Sequence, residues 1–204
     1  MDLRPFSFYR PSARIEGETA PPSFSGVLLD FWKNHLWVDQ EQRQQQGDGL
    51  SARRANRARL RRCHSVLDAL SEPIAYRFIQ SVQALPGSDR CDTEALALVP
   101  VLLAHARHNR WQHSFPRQLA STANERSRAP FSELRFRRLL RADSRDDLLV
   151  HLRRAIQSVD GEANLIWLAE AVCEWQHPYR GPQLRNRWAY EYFSNAPAKH
   201  EAEA

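Results

Sequence analysis

Residues 131–156, FSELRFRRLLRADSRDDLLVHLRRAI, constrain the fold more than any other part of the chain. Their apolar residues recur at the three- and four-residue steps of an amphipathic helix, and Ala142, Asp143 and Ser144 break the run into two helices. In the first, Phe136, Leu139 and Leu140 share one arc, Arg137, Arg138 and Arg141 point away from it, and Arg135 sits at its edge. In the second, Leu148, Leu149, Leu152, Ile156 and Val159 fall within an arc of about 100°, wide enough for a core stripe. Ser132 and Ser144 stand where helix N-caps belong, and Ser144 with Asp147 resembles a capping box.

The same periodicity recurs along the chain. Leu28, Phe31, Trp32, His35 and Leu36 predict a helix starting at Ser25 or Gly26. A polar link over 40–49 precedes a basic helix from about Ser51, and a further helix opens at Ser71 with Pro73 in its first turn. Asp92 is placed to cap a largely apolar helix over 93–109, in which Pro100 predicts a kink or a break. Residues 112–130 read as an irregular loop, and 164–175 and 182–193 as the last two helices. No alternating pattern of useful length marks a strand, so the expected fold class is all-α. A chain of 204 residues suffices for one large domain or two small helical lobes.

Charge is sorted along this scaffold. Of 29 basic side chains only Lys33 and Lys199 are lysine, and the formal net charge is +5. Residues 51–62 hold six arginines and no acid, whereas 161–175 hold no basic residue. On a helical wheel Arg53, Arg54, Arg57 and Arg61 share one arc, flanked by Arg59 and Arg62. A solvated helix face usually mixes signs, so an acid-free row points to phosphate contact. Arginine suits that role because its planar fork donates two parallel hydrogen bonds and keeps its charge at any working pH.

Catalytic arrangements are missing from the pattern. The chain has no G-x-S-x-G, no phosphate-cradling glycine loop and no H-E-x-x-H, so neither an enzyme nor a bound metal or other cofactor is expected. His105, His108 and His113 lie close together without a carboxylate or cysteine at ligand spacing. Trp111, beside the basic loop, reads as a buried anchor, with stacking on a nucleobase as the alternative. Cys63, Cys91 and Cys173 are odd in number and far apart, which favours a reducing compartment over a disulfide framework. No apolar run reaches the roughly 20 residues that span a bilayer, and the first residues lack a signal peptide's apolar stretch. The expectation is a soluble cytoplasmic protein with no membrane partner.

Several stretches in order resemble the CasB small subunit of type I-E Cascade, the RNA-guided interference complex of CRISPR systems. They are VLLDFWKNHL, ARLRRCHSVLDALSEPIAYRFIQSV, LVPVLLAHARHN, the loop SFPRQLA, and the run 131–156, together covering about 26–193. The resemblance implies a non-enzymatic helical bundle of about eight helices in two packed lobes. Residues 1–23, rich in Pro, Ser and charge and without periodicity, are expected to form a flexible extension and 195–204 a flexible tail, with 24–111 as an N-terminal lobe holding the basic helix and 112–194 as a C-terminal lobe.

It further implies two copies head to tail in one complex, beside the CasA large subunit and the CasC backbone. There they lie against guide RNA and target DNA and help hold the displaced DNA strand. By position Arg61, Arg62, Arg117, Arg135 and Arg141 are the implied phosphate ligands; Arg53, Arg54, Arg57 and Arg138 join them from the wheel alone. Pro116 replaces the family's loop glycine and has no amide to give a phosphate. The rival reading is a helical protein–protein adaptor whose arginines pair with acidic partner surfaces.

Overall fold

The computed structural model describes residues 23–38, 48–87, 92–121 and 129–196. Residues 1–22, most of the polar link, Cys91, 122–128 and the tail from 197 lie outside the described residues. The chain is all-α, with ten helices and one two-residue parallel ladder among the described residues. It divides into two compact units, Met1–Arg107 and His108–Ala204.

In the first unit α1 (Phe24–His35) starts slightly before the expected position, because the Ser23 hydroxyl accepts the Gly26 amide at 3.2 Å. The predicted face is buried through Leu28, Phe31, Trp32 and Leu36. α2 (Asp48–Arg62) begins inside the expected link. α3 (Val66–Leu70) was not foreseen from periodicity, being barely one turn. A complete capping box nucleates it: Asp68 N–H donates to Ser65 Oγ at 3.1 Å, and the Asp68 carboxylate accepts the Ser65 and His64 amides. These amides hold the Asp68 carboxyl below its ordinary pKa.

Pro73 occupies the first turn of α4 (Pro73–Gln83) as predicted. Phe78 of that helix meets Phe31 edge-on at 5.0 Å and Phe24 at 6.3 Å. α5 (Thr93–Leu103) is capped by Asp92, whose carboxylate accepts the Glu94 and Ala95 amides. It does not break at Pro100. Every residue from Ala95 to Leu103 is buried, so packing on all sides offsets the missing backbone bond. The helix stops short of 109 because its end is taken over by side chains of α2, and His108 and Asn109 belong to a ladder instead.

In the second unit that ladder pairs β1 (His108–Asn109) with β2 (Glu162–Ala163). The loop expected over 112–130 contains α6 (Phe115–Ala120), too short to show a period but fixed by buried Phe115 and Leu119 against α10 (Arg180–Phe193). α7 (Glu133–Leu140) and α8 (Arg145–Ser158) match the two predicted helices. Ser144 caps the second through the Asp147 amide at 3.1 Å, but the box is not reciprocal: the Asp147 carboxylate faces His151 at 3.4 Å. α9 (Leu165–Glu174) is capped by buried Asn164, and α10 starts two residues before Pro182. Trp175, Trp188, Phe115, Phe136 and Tyr192 fill this core. Gly181 is obligatory there, since a Cβ at that position would collide with the Trp175 backbone carbonyl.

Candidate functional site

Helix α2 has too little apolar surface to be held by burial; Leu60 is the only buried side chain described in it. Guanidinium groups attach it instead. Arg53 Nε donates to the Asn34 carbonyl at 3.0 Å, at the end of α1. Arg57 donates from Nε to the Ala104 carbonyl at 2.8 Å and from Nη2 to the Ala106 carbonyl at 2.9 Å. Arg61 Nε reaches the same Ala104 oxygen at 2.9 Å. Ala104 is the C-cap of α5, where carbonyls have no partner within the helix. These bonds turn Arg53, Arg57 and Arg61 toward the ends of neighbouring helices, which a one-helix wheel does not show. With so few apolar residues in the helix, arginine stems cover the neighbouring surface while their heads satisfy the carbonyls.

Arg54, Arg57 and Arg61 still share one feature. Together with Arg107, Val38 and Ala58 they line an open groove of about 410 Å³, and none of the described lining residues is an acid. Burial, and then the neighbouring charge of Arg107, hold the Arg61 pKa below its ordinary value. Arg107 lies just past α5, and its place in the groove depends on where that helix stops. Arg62 is exposed at the end of α2, outside the groove lining.

The second unit presents its arginines differently. Arg117 of α6 and Arg135, Arg138 and Arg141 along α7 are exposed, and no hydrogen bond or ion pair engages their side chains among the described residues. Their neighbour Arg137 is occupied: it pairs with Glu133 at 2.7 Å and lies over the Phe193 ring. The back of α7 is pinned by buried Phe136 and Leu139, and Phe136 stacks on Tyr192 with centroids 3.9 Å apart. The Tyr192 hydroxyl donates to the Phe131 carbonyl at 2.6 Å, and the Phe131 amide donates to the Leu119 carbonyl at 3.2 Å. One residue thus ties the helix bearing Arg117 to the helix bearing the other three. Burial, with the nearby Glu133 charge, pushes the Tyr192 phenol up to about 12.

Pro116 lies in the first turn of α6, and the adjacent Arg117 amide is taken by Ser114 Oγ at 3.3 Å. Trp111 is 66% exposed, which overturns its reading as a buried anchor. It stands in a turn just after the β1–β2 ladder, with the indole outside the core. Among the described residues no group of three or more His, Cys, Asp or Glu could hold a metal ion, and no helix is long and apolar enough to cross a membrane.

These features can be set beside known proteins. The family model for the CRISPR-associated protein Cse2 matches residues 56–193. The fold is similar to the crystal structure of CasB from Thermus thermophilus, with a TM-score of 0.56 and 27% identity over 85% of this chain and 99% of that one. It is also similar to a second Thermus thermophilus structure, of a CRISPR-associated protein of the Cse2 family, with a TM-score of 0.55 and 26% identity over 84% and 97%. No curated protein matches the chain.

Proposed function

Because the chain belongs to the CRISPR-associated Cse2 family, we propose that it is the small subunit of a Cascade-type RNA-guided complex and carries out no chemistry itself. Its work is to hold nucleic acid in the cytoplasm, beside the CasA large subunit, the CasC backbone and a second copy of itself. Arg117, Arg135, Arg138 and Arg141 contact the backbones of guide RNA, target DNA and the displaced DNA strand. The groove lined by Arg54, Arg57 and Arg61 supplies a second positive surface, with Arg53 and Arg62 beside it.

The observation that carries this reading is the set of four exposed arginines on helices whose opposite faces are buried. A guanidinium on a pinned helix loses less freedom on gripping a phosphate than one on a mobile loop. Each neutralised phosphate releases condensed counterions, which makes such binding favourable and dependent on salt. Sequence choice rests with base pairing of the guide. The RNA–DNA duplex formed is about as stable as the DNA duplex it replaces, so modest backbone contacts decide how long the opened state lasts.

Filter binding of the purified chain to single-stranded DNA and RNA at low salt tests the reading. Retention of either strand, lost as salt rises, is the expected result. A protein–protein adaptor shows no appreciable affinity for either.

A further inference from the structure

Trp111 is the exposed tryptophan of the second unit, and hydrogen bonds hold the backbone beside it. The Arg110 amide donates to the Ala163 carbonyl at 3.1 Å, extending the β1–β2 ladder, and the Arg110 carbonyl accepts Gln118 Nε2 at 2.7 Å. Buried Asn164 donates through Nδ2 to the Trp111 carbonyl at 3.4 Å and to the His113 carbonyl at 2.9 Å. The backbone is therefore held on both sides of a large apolar ring that makes no ring contact among the described residues. Trp175 and Trp188, by comparison, pack on each other with centroids 5.3 Å apart.

The residues flanking Trp111 line a cavity of about 850 Å³. Gln112, Ser121 and Ser158 bring neutral donors and acceptors to it, while Arg110 and Glu162 pair with each other. His113 and Asp160 complete its polar wall. The described lining residues are balanced in charge and give little attraction for a phosphate. They suit the edge of a neutral, hydrogen-bonding heterocycle whose face lies on the indole. Six residues further on, exposed Arg117 is available to a backbone phosphate. Single-strand binders combine these two elements, an aromatic platform for a base and a cation for its backbone.

We propose that Trp111 is a stacking platform for one unpaired nucleobase of a single strand, with the neighbouring polar cavity receiving the base edge. The proposal rests on the nucleic-acid reading above and adds a contact that depends on bases rather than charge. Pinning of the loop by Asn164 and Gln118 means that little order has to be gained on binding. A ring two-thirds exposed can be removed without opening the core.

The test is fluorescence anisotropy of the full chain with a labelled single strand and an abasic strand of equal length, in DNA and RNA versions run in parallel. Trp111→Ala is expected to weaken binding of the base-bearing strand about tenfold and to leave the abasic strand unchanged. Trp111→Phe should recover most of the loss, and neither variant should alter the slope of affinity against salt. The DNA and RNA arms show which strand supplies the base. If Trp111→Ala binds the base-bearing strand as well as the parent does, the ring faces a protein and the proposal falls, with the phosphate reading intact. If the parent chain retains neither strand even at low salt, the phosphate reading fails and this proposal falls with it.

Discussion

Helices α2 and α7 carry the same residue type on similar scaffolds and use it in opposite ways. On α2, arginines donate to carbonyls at the ends of α1 and α5, so the positive charge is part of what holds the first unit together. On α7, buried Phe136 and Leu139 do the holding, and Arg135, Arg138 and Arg141 are left facing outward. A count of arginines cannot separate these roles. The apolar content of the helix can: where the stripe is missing, guanidinium groups are drawn inward to replace it.

This contrast can be broken most sharply where the second unit depends on close packing. Gly181→Ala drives a methyl group into the Trp175 carbonyl and is expected to cost about 3 kcal/mol, read by urea denaturation. Next in size is Arg57→Ala, which leaves the Ala104 carbonyl to Arg61 alone and strands the Ala106 carbonyl. A loss of about 2 kcal/mol is expected, while Arg138→Ala changes stability by no more than about 0.5 kcal/mol. Equal effects at the two positions would erase the distinction between tethered and outward arginines.

Tyr192→Phe removes the bond to Phe131 and should cost about 1 kcal/mol at neutral pH. It should also flatten an alkaline slope. The folded phenol keeps its proton up to about 12, whereas the unfolded one releases it near 10.0, so stability is full below 10.0 and falls as pH rises toward 12. The smallest effect belongs to the first unit. Burial, then Arg77 and Arg53, hold the His35 imidazole below its ordinary 6.5. The unfolded chain takes up a proton that the folded chain resists, so stability is full above 6.5 and declines as pH falls below it. His35→Gln should remove that decline, followed by thermal melts between pH 7 and about 5.

Much of the fold was legible because its larger helices are long and periodic. Of the expected stripe Leu148, Leu149, Leu152 and Ile156 are buried, while Val159 is half-buried at the C-cap, and Asp92, Pro73 and Ser144 mark helix starts in the expected places. Short elements escaped for a physical reason. α3 and α6 are too brief to show a period; the first owes its existence to a capping box, the second to Phe115 and Leu119, whose burial only tertiary contact supplies. The two-residue ladder left no alternation to detect.

At the candidate site the outward arginines of α7 could be read from the wheel, since their helix carries its own apolar stripe. Arg53, Arg57 and Arg61 could not, because their partners are carbonyls 19 to 49 residues away, invisible to a one-helix projection. The exposure of Trp111 was hidden likewise, because ring burial depends on a turn fixed by Asn164.

The central claim is that the outward arginines of the second unit grip a polyanion through charge alone. A salt titration of single-strand binding compares the parent chain with the combined variant Arg117→Glu, Arg135→Glu and Arg141→Glu. The slope of log affinity against log salt should become shallower by about two units, with the melting temperature unchanged and no change in which sequences bind. An unchanged slope in a folded variant would contradict the claim.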